Sequence, residues 1–249
     1  MFITRPYWVA DGYVHRVSSK IRGEEISQYL GGIDVNIHVK PRSLRKVQDG
    51  EYVDMIDGVD LIPALKERPK VKVIAMSLTQ YEYLKTVLEN EVFLIHHHHI
   101  NFERFRRTRN ENLVGGIIGH SKYAAQFAEE LGKRVDLIPI MSYTIREDML
   151  NFFKKIDYLI VWNSEEYKDY PHSHPTKLIN AASFGIPSLS QPILAYKEFE
   201  GFYIHITDVD SLVAEVEKLK VNYEEWSDKV FAEAEKYHIS RIAEIYKKL

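Results

Sequence analysis

Short apolar runs alternate with helix-period segments along nearly the whole chain, and that order leaves few folds open. "VNIHV" (35–39), "VKVIAM" (71–76), "EVFLI" (91–95), "LVGGIIGH" (113–120), "VDLIPI" (135–140), "DYLIVW" (157–162) and "FYIHI" (202–206) have the length and branched content of buried strands. Between them, "KIRGEEISQYL" (20–30), "TQYEYLKTVLEN" (79–90), "YAAQFAEELGK" (123–133), residues 145–155 and "VDSLVAEVEKLK" (209–220) read as helices, and 222–249 reads as a final helical region. Such alternation predicts an α/β fold with mostly parallel sheets covered by helices on both faces. "YWVA" (7–10) reads as one more strand, and 40–70 has no clean period and reads as irregular.

The chain of 249 residues has room for one large domain or two smaller ones. The polar stretch "RFRRTRNEN" (104–112) breaks the strand–helix series and predicts units of about 1–110 and 111–235. A net charge of -3 argues against a surface built broadly for nucleic acid, and a single basic run such as "RFRRTR" is more often a solvated face. The absence of cysteine excludes a disulfide framework and thiolate zinc sites, and it fits a reducing compartment. "MFITRPYWVADGYVHR" lacks a secretory pattern and no apolar run reaches the roughly 20 residues of a membrane span, so a cytoplasmic protein is expected, with peripheral membrane contact left open. No Gly-x-Ser-x-Gly nucleophile or P-loop is present, and the glycines of "LVGGIIGH" do not form the dinucleotide fingerprint.

Two stretches carry chemistry. In "SHPTKLINAASFGIPSLS" (173–190), Pro175 suits a helix start, Leu178, Ala181, Ala182 and Gly185 form a small-residue face, and Gly185 and Pro187 stop the helix. Lys177 and Asn180 lie on another face. The helix start with Lys177 is a seat for a diphosphate, or else an ordinary α/β helix with a surface lysine. The second stretch, "HHHH" (96–99), follows "EVFLI", where a parallel strand opens on a crevice. Alternation predicts that His96 and His98 face one way and His97 and His99 the other. Acid/base work toward an acceptor, polar filling of a strand end and metal ligation are the three readings of these imidazoles. Ser18, Ser19 and Arg22 lie at the first strand–helix loop, where Arg22 holds an acidic or phosphorylated acceptor or is a solvated helix-face arginine.

"HPTKLINAASFGIPSLSQPILAYKEF" (174–199) resembles the donor-site segment of GT-B glycosyltransferases, especially the retaining group related to glycogen synthase, glycosyltransferase family 4-like. Lys177-Leu178, Ala181, Gly185-x-Pro187 and the Pro192 to Tyr196 turn carry the likeness. It implies two Rossmann-like domains facing across a cleft, acceptor side first and nucleotide-sugar side second, with the last helix (236–249) packing back on the first. By resemblance the donor is held by Gly119, His120, Ser121, Lys122, Asn163, His174, Lys177 and Asn180, and the acceptor by Ser19 and Arg22. Catalytic candidates are His96, His97, His98, His99 and His172. His172 and Asn180 stand where the family commonly has two glutamates. The resemblance implies a nucleotide sugar as substrate, no cofactor and no metal, with a glycan, lipid-linked or other small acceptor; some DNA-modifying glucosyltransferases share the architecture, but the charge and the single basic run argue against nucleic acid. A nucleotide-sugar epimerase of the same shape and a non-catalytic sugar-nucleotide- or glycan-binding protein are the alternatives.

Overall fold

The computed structural model describes residues 1–4, 9–10, 13–14, 19–56, 58–118, 127–140, 145–163 and 168–249. Within them the chain builds two five-stranded sheets whose described pairings are all parallel. β1 (Phe2–Thr4) lies at one edge of the first sheet, and β2 (Val9–Ala10) and β3 (Tyr13–Val14) form a separate antiparallel pair. The first sheet continues through β4 (Ile37–Val39), β5 (Tyr52–Asp54), β6 (Lys72–Ala75) and β7 (Val92–Leu94) in chain order. The second holds β8 (Gly115–Ile118), β9 (Leu137–Ile140), β10 (Tyr158–Val161), β11 (Ser188–Ser190) and β12 (Ile204–His205), ordered β12-β11-β10-β8-β9. From β8 the chain goes first to one side and then to the other. That reversal opens a crevice beyond the carboxyl ends of β8 and β10.

The central strands are buried on both faces, as parallel strands under helices must be, while β1 and β7 at the edges are partly exposed. All four residues of β10 are fully buried. Gly115 and Gly116 are explained by this packing, since a Cβ on either would come within 2.7 Å of the Tyr158 ring or 2.6 Å of Phe152. Segment 40–70, expected to be irregular, contains β5 and a short helix, α2 (Ile62–Lys66), after α1 (Ile26–Leu30). A three-residue strand ending in an aspartate and a one-turn helix opening on Pro63 are too short to show a period. Of "YWVA", residues 9–10 belong to the small antiparallel pair, and 7–8 lie outside the described residues.

Further helices are α3 (Leu78–Val87), α4 (Arg146–Phe153), α5 (Thr176–Ala182), α6 (Val209–Ala234) and α7 (Ile239–Tyr246). Among the described residues no helix is long and apolar enough to cross a membrane. The connection between the sheets runs along the back of the second one. Its arginines are engaged: Arg104 makes two bonds to Glu235, Arg106 pairs with Asp228, Arg107 lies 3.3 Å from buried Asp157, and Arg109 donates to Lys220 O. The basic run therefore fastens the connection and leaves little free charge for a polyanion.

α6 is kinked at Asn222 (φ -110°, ψ 23°). Before the kink, Leu212, Val216 and Leu219 pack with the second sheet, and after it Val230 and Ala234 join the core shared with α7. α7 then covers the first sheet. Tyr246 donates its hydroxyl to Asp54 at 3.3 Å, and Tyr52 donates to Leu249 O at 2.9 Å. Beside Tyr246, Arg22 Nε donates to Asp54 Oδ2 at 2.7 Å and Nη1 to Ile95 O at 2.9 Å. Both charges are buried, Arg22 at 1 % exposure and Asp54 at 0 %. Replacing Arg22 by Met strands the carboxylate and is expected to cost about 3 to 5 kcal/mol in urea unfolding. The double replacement Arg22→Met with Asp54→Leu should recover most of that loss, because it removes both buried charges together.

Candidate active site

β6 and β7 bring α3 and the four histidines to the edge of the first sheet that meets the second. The seam between them is made of polar side chains. Gln80, in the first turn of α3 and fully buried, accepts Met76 N–H, donates to Met55 O at 3.1 Å, and lies 3.2 Å from His172 Nδ1. Tyr83 and Tyr170 both set their rings edge-on to His172. Glu198, on the 3-10 helix Leu194–Phe199, accepts the Leu78 N–H at 2.9 Å and His96 Nε2–H at 2.7 Å. Thr79 donates to Leu194 O at 3.1 Å.

The histidines do not alternate, because β7 ends at Leu94 and the next residues leave the extended register. His96 meets Glu198 and His97 lies against His174, ring centroids 5.1 Å apart, so these two face the second sheet's side. His98 turns to the first helix, with Nε2 3.0 Å from Ile21 O and 3.3 Å from Glu25. His99 turns to the returning end of the chain, its N–H bonded to Tyr237 O and its ring 5.3 Å from His238. The expectation of an alternating pair on the cleft is corrected: consecutive His96 and His97 face the seam. Among the described residues no group of three or more acidic or imidazole side chains is placed to hold a metal.

α5 begins at Thr176 with Pro175 as its cap, and Gly185 ends the segment in the left-handed region (φ 71°), as the sequence predicts. At seven residues, Thr176–Ala182, it is too short for its dipole to carry much. Lys177 is half-buried and has no ion-pair or hydrogen-bond partner among the described residues. Burial holds its ammonium below the ordinary lysine range. His174 Nδ1 lies 2.7 Å from Thr176 Oγ1. Asn163, just past β10, donates to Ser190 Oγ at 3.2 Å, and its N–H donates to Gln191 Oε1 at 2.9 Å.

Other expected site residues have structural partners. Asn180, 5 % exposed, accepts the Ile100 N–H at 3.0 Å, so its carbonyl holds the connection and is not turned to a ribose. Asn101 extends that attachment by donating to Ser183 O at 2.6 Å. Ser19 and Arg22 are both buried, and the Arg22 guanidinium is engaged by Asp54 and Ile95 O, which removes the two acceptor-side candidates from any open surface. Gly119, His120, Ser121 and Lys122, with Ser18, lie outside the described residues. Sequence reasoning missed Gln80 and Glu198. Only Gln80 left a signal, the capping pattern Ser77-x-x-Gln80, with Gln80 N–H 3.3 Å from Ser77 Oγ.

Two parallel sheets joined once in each direction, their carboxyl ends meeting along a polar seam, define the GT-B arrangement of two Rossmann-like units. Solved structures agree. The crystal structure of TarM superposes with a TM-score of 0.59 at 12 % identity, over 86 % of this chain and 54 % of that one. AviGT4, a glycosyltransferase involved in avilamycin A biosynthesis, gives 0.57 at 13 % identity, over 99 % of this chain and 95 % of its own. Anabaena Alr3699/HepE, crystallised in complex with UDP, gives 0.56 at 11 % identity, over 86 % and 71 %. At these identities what is shared is the fold, and the chain spans about half the length of TarM. No protein-family profile matches the sequence, and neither does any curated protein.

Buried His99 supplies a pH test of this arrangement. Burial first, then His238 and His98, push its imidazole down to about 3. Glu235 opposes the shift and Arg104 adds to it. In the unfolded chain the ring takes a proton near 6.5, so between that pH and about 3 the unfolded state binds more protons and stability falls as pH drops. His99 alone should remove about 2 kcal/mol between pH 7 and pH 5. The loss of unfolding free energy over that interval, measured by urea titration, should be smaller by this amount in His99→Gln than in the unaltered chain.

Proposed function

We infer that this protein is a glycosyltransferase that takes a sugar from a nucleoside-diphosphate donor bound on the second sheet. The observation that carries the reading is Lys177, a half-buried cation without a described partner, on a fold whose neighbours include glycosyltransferases and a protein crystallised with UDP. A buried ammonium that has lost water gains most from an anion, and a diphosphate leaving group accumulates charge as the sugar departs. Lys177 would meet that charge. Asn163, at the end of β10 beside the switch point, is held by Ser190 Oγ and Gln191 O and would frame the nucleotide's place without donating to it. The half-buried His174 is the group assigned to orient or deprotonate an acceptor hydroxyl, and His97, 3 % exposed and facing it across the seam, backs that ring.

His172 supports a weaker second reading, a binding protein without turnover. Where a glutamate is common it is an imidazole, 2 % exposed, packed between Tyr83 and Tyr170. Measuring UDP and UDP-sugar binding by calorimetry, and sugar release with and without acceptors, separates the two. Lys177→Ala should weaken UDP binding by about 1 to 3 kcal/mol, and unchanged affinity would remove Lys177 from the site. Alanine at His174 should lower turnover by roughly 10²-fold with UDP affinity nearly kept.

The lowered Lys177 ammonium also sets a pH dependence. A diphosphate beside it favours the charged form, so in the range between its lowered value in the free protein and its raised value in the complex, binding takes up a proton. UDP affinity should therefore decline as pH rises through the free-protein value. Calorimetry in buffers of different ionisation heat should show net proton uptake at alkaline pH, and Lys177→Met should abolish it.

A further inference from the structure

Where the chain leaves the first unit after Asn101 and returns to it through Ala234–His238, the two crossings enclose a cavity of about 310 Å³. His99 lines it from inside, at 3 % exposure, and Phe231, Ala232 and Ala234 at the end of α6 give it an apolar wall. Arg104 from one crossing and Glu235 from the other stand at its mouth, both well exposed and joined by bonds of 2.9 and 2.8 Å.

Two observations point to an occupant. Neither ring nitrogen of His99 has a hydrogen bond among the described residues, and Nδ1 is wholly shut in. Buried polar groups are nearly always paired, so this imidazole lacks a partner. Arg104 takes a positive φ of 55°, which is uncommon outside glycine, and it is the residue that reaches across the mouth to Glu235. The surroundings are fixed in place. His238 Nε2 donates to Phe102 O at 2.9 Å, and Arg106 lies 5.5 Å over the Phe231 ring.

The lining selects the chemistry of the occupant. Arg104 and Glu235 cancel in their own pair, and burial keeps the His99 ring neutral, so a free charge finds no counterion inside. Phe231 and the alanines suit a flat apolar body. A hydroxyl both donates and accepts, and it therefore satisfies a neutral imidazole in either tautomer. An engineered apolar cavity of about 150 Å³ admits benzene, and this one has room for two fused rings. We propose that the cavity binds a small uncharged aromatic alcohol, its ring against Phe231 and its hydroxyl on His99. Such a molecule touches both crossings at once and ties the two units together from behind.

The probe is 2-naphthol, with 2-naphthoate as its charged counterpart, each titrated into the full-length chain by calorimetry. The unaltered chain should take up one equivalent of 2-naphthol, at least about 10-fold more tightly than 2-naphthoate. Ala232→Phe, at an exposed position of the wall, should fill the space and weaken 2-naphthol at least about 10-fold with an unchanged melting temperature. With histidine ring nitrogens labelled with ¹⁵N, 2-naphthol should shift the signals that His99→Leu removes, a reading taken on the unaltered cavity. No binding of 2-naphthol, equal binding by Ala232→Phe, or unmoved His99 signals at saturation overturns the proposal, and a cavity that holds only water gives the first of these. No sugar nucleotide enters the test, so its outcome is independent of the role given to Lys177.

Discussion

A guanidinium and a carboxylate shut away from water hold the first half of this protein together. Arg22 comes from the first helical segment, Asp54 from β5, the Ile95 carbonyl from the exit of β7, and Tyr246 from α7. Four distant stretches are thereby fixed to one point. Burying two charges costs several kcal/mol per ion, so the pair is tolerable only because the neighbouring bonds return much of that cost. What it secures is position. Ile95 is the last residue before the four histidines, and the pair sets where they begin.

From that point the histidines fan out to four different elements, and side-chain amides take over the work of joining the halves. Gln80, Asn101 and Asn180 each bond main-chain groups, two of them across the seam. A seam closed by hydrogen bonds parts at lower cost than one closed by apolar packing, because water can satisfy each separated group. Apolar contact also runs through both units, in one core that takes in Met76 and Ile95 as well as Phe153, Phe184, Phe199 and Tyr237.

The fold was legible because parallel strands buried on both faces must be continuous apolar runs, and helices over them must carry a period. "VKVIAM" and "DYLIVW" yield β6 and β10 almost residue for residue. β5 was not legible, since a buried Asp54 looks polar in sequence until Arg22 is seen beside it. The candidate site was legible in part. Lys177 and the turn at Gly185 follow from local rules, whereas the engagement of Asn180 and Arg22 by buried partners depends on residues as many as 80 positions away. The histidine run was conspicuous, but its directions depend on where β7 stops, and no local rule fixes that.

The link between Asp54 and Tyr246 spans 192 residues. A ribosome adding about 5 to 20 residues per second therefore needs roughly 10 to 40 s to deliver the lid of the first sheet after the strand it covers. During that interval the face beneath α7, with its buried charge pair incomplete, is open while the second unit is being made and folded. The nascent chain is then most exposed to chaperones and to misassembly at its earliest strands, although those strands are the first to be synthesised.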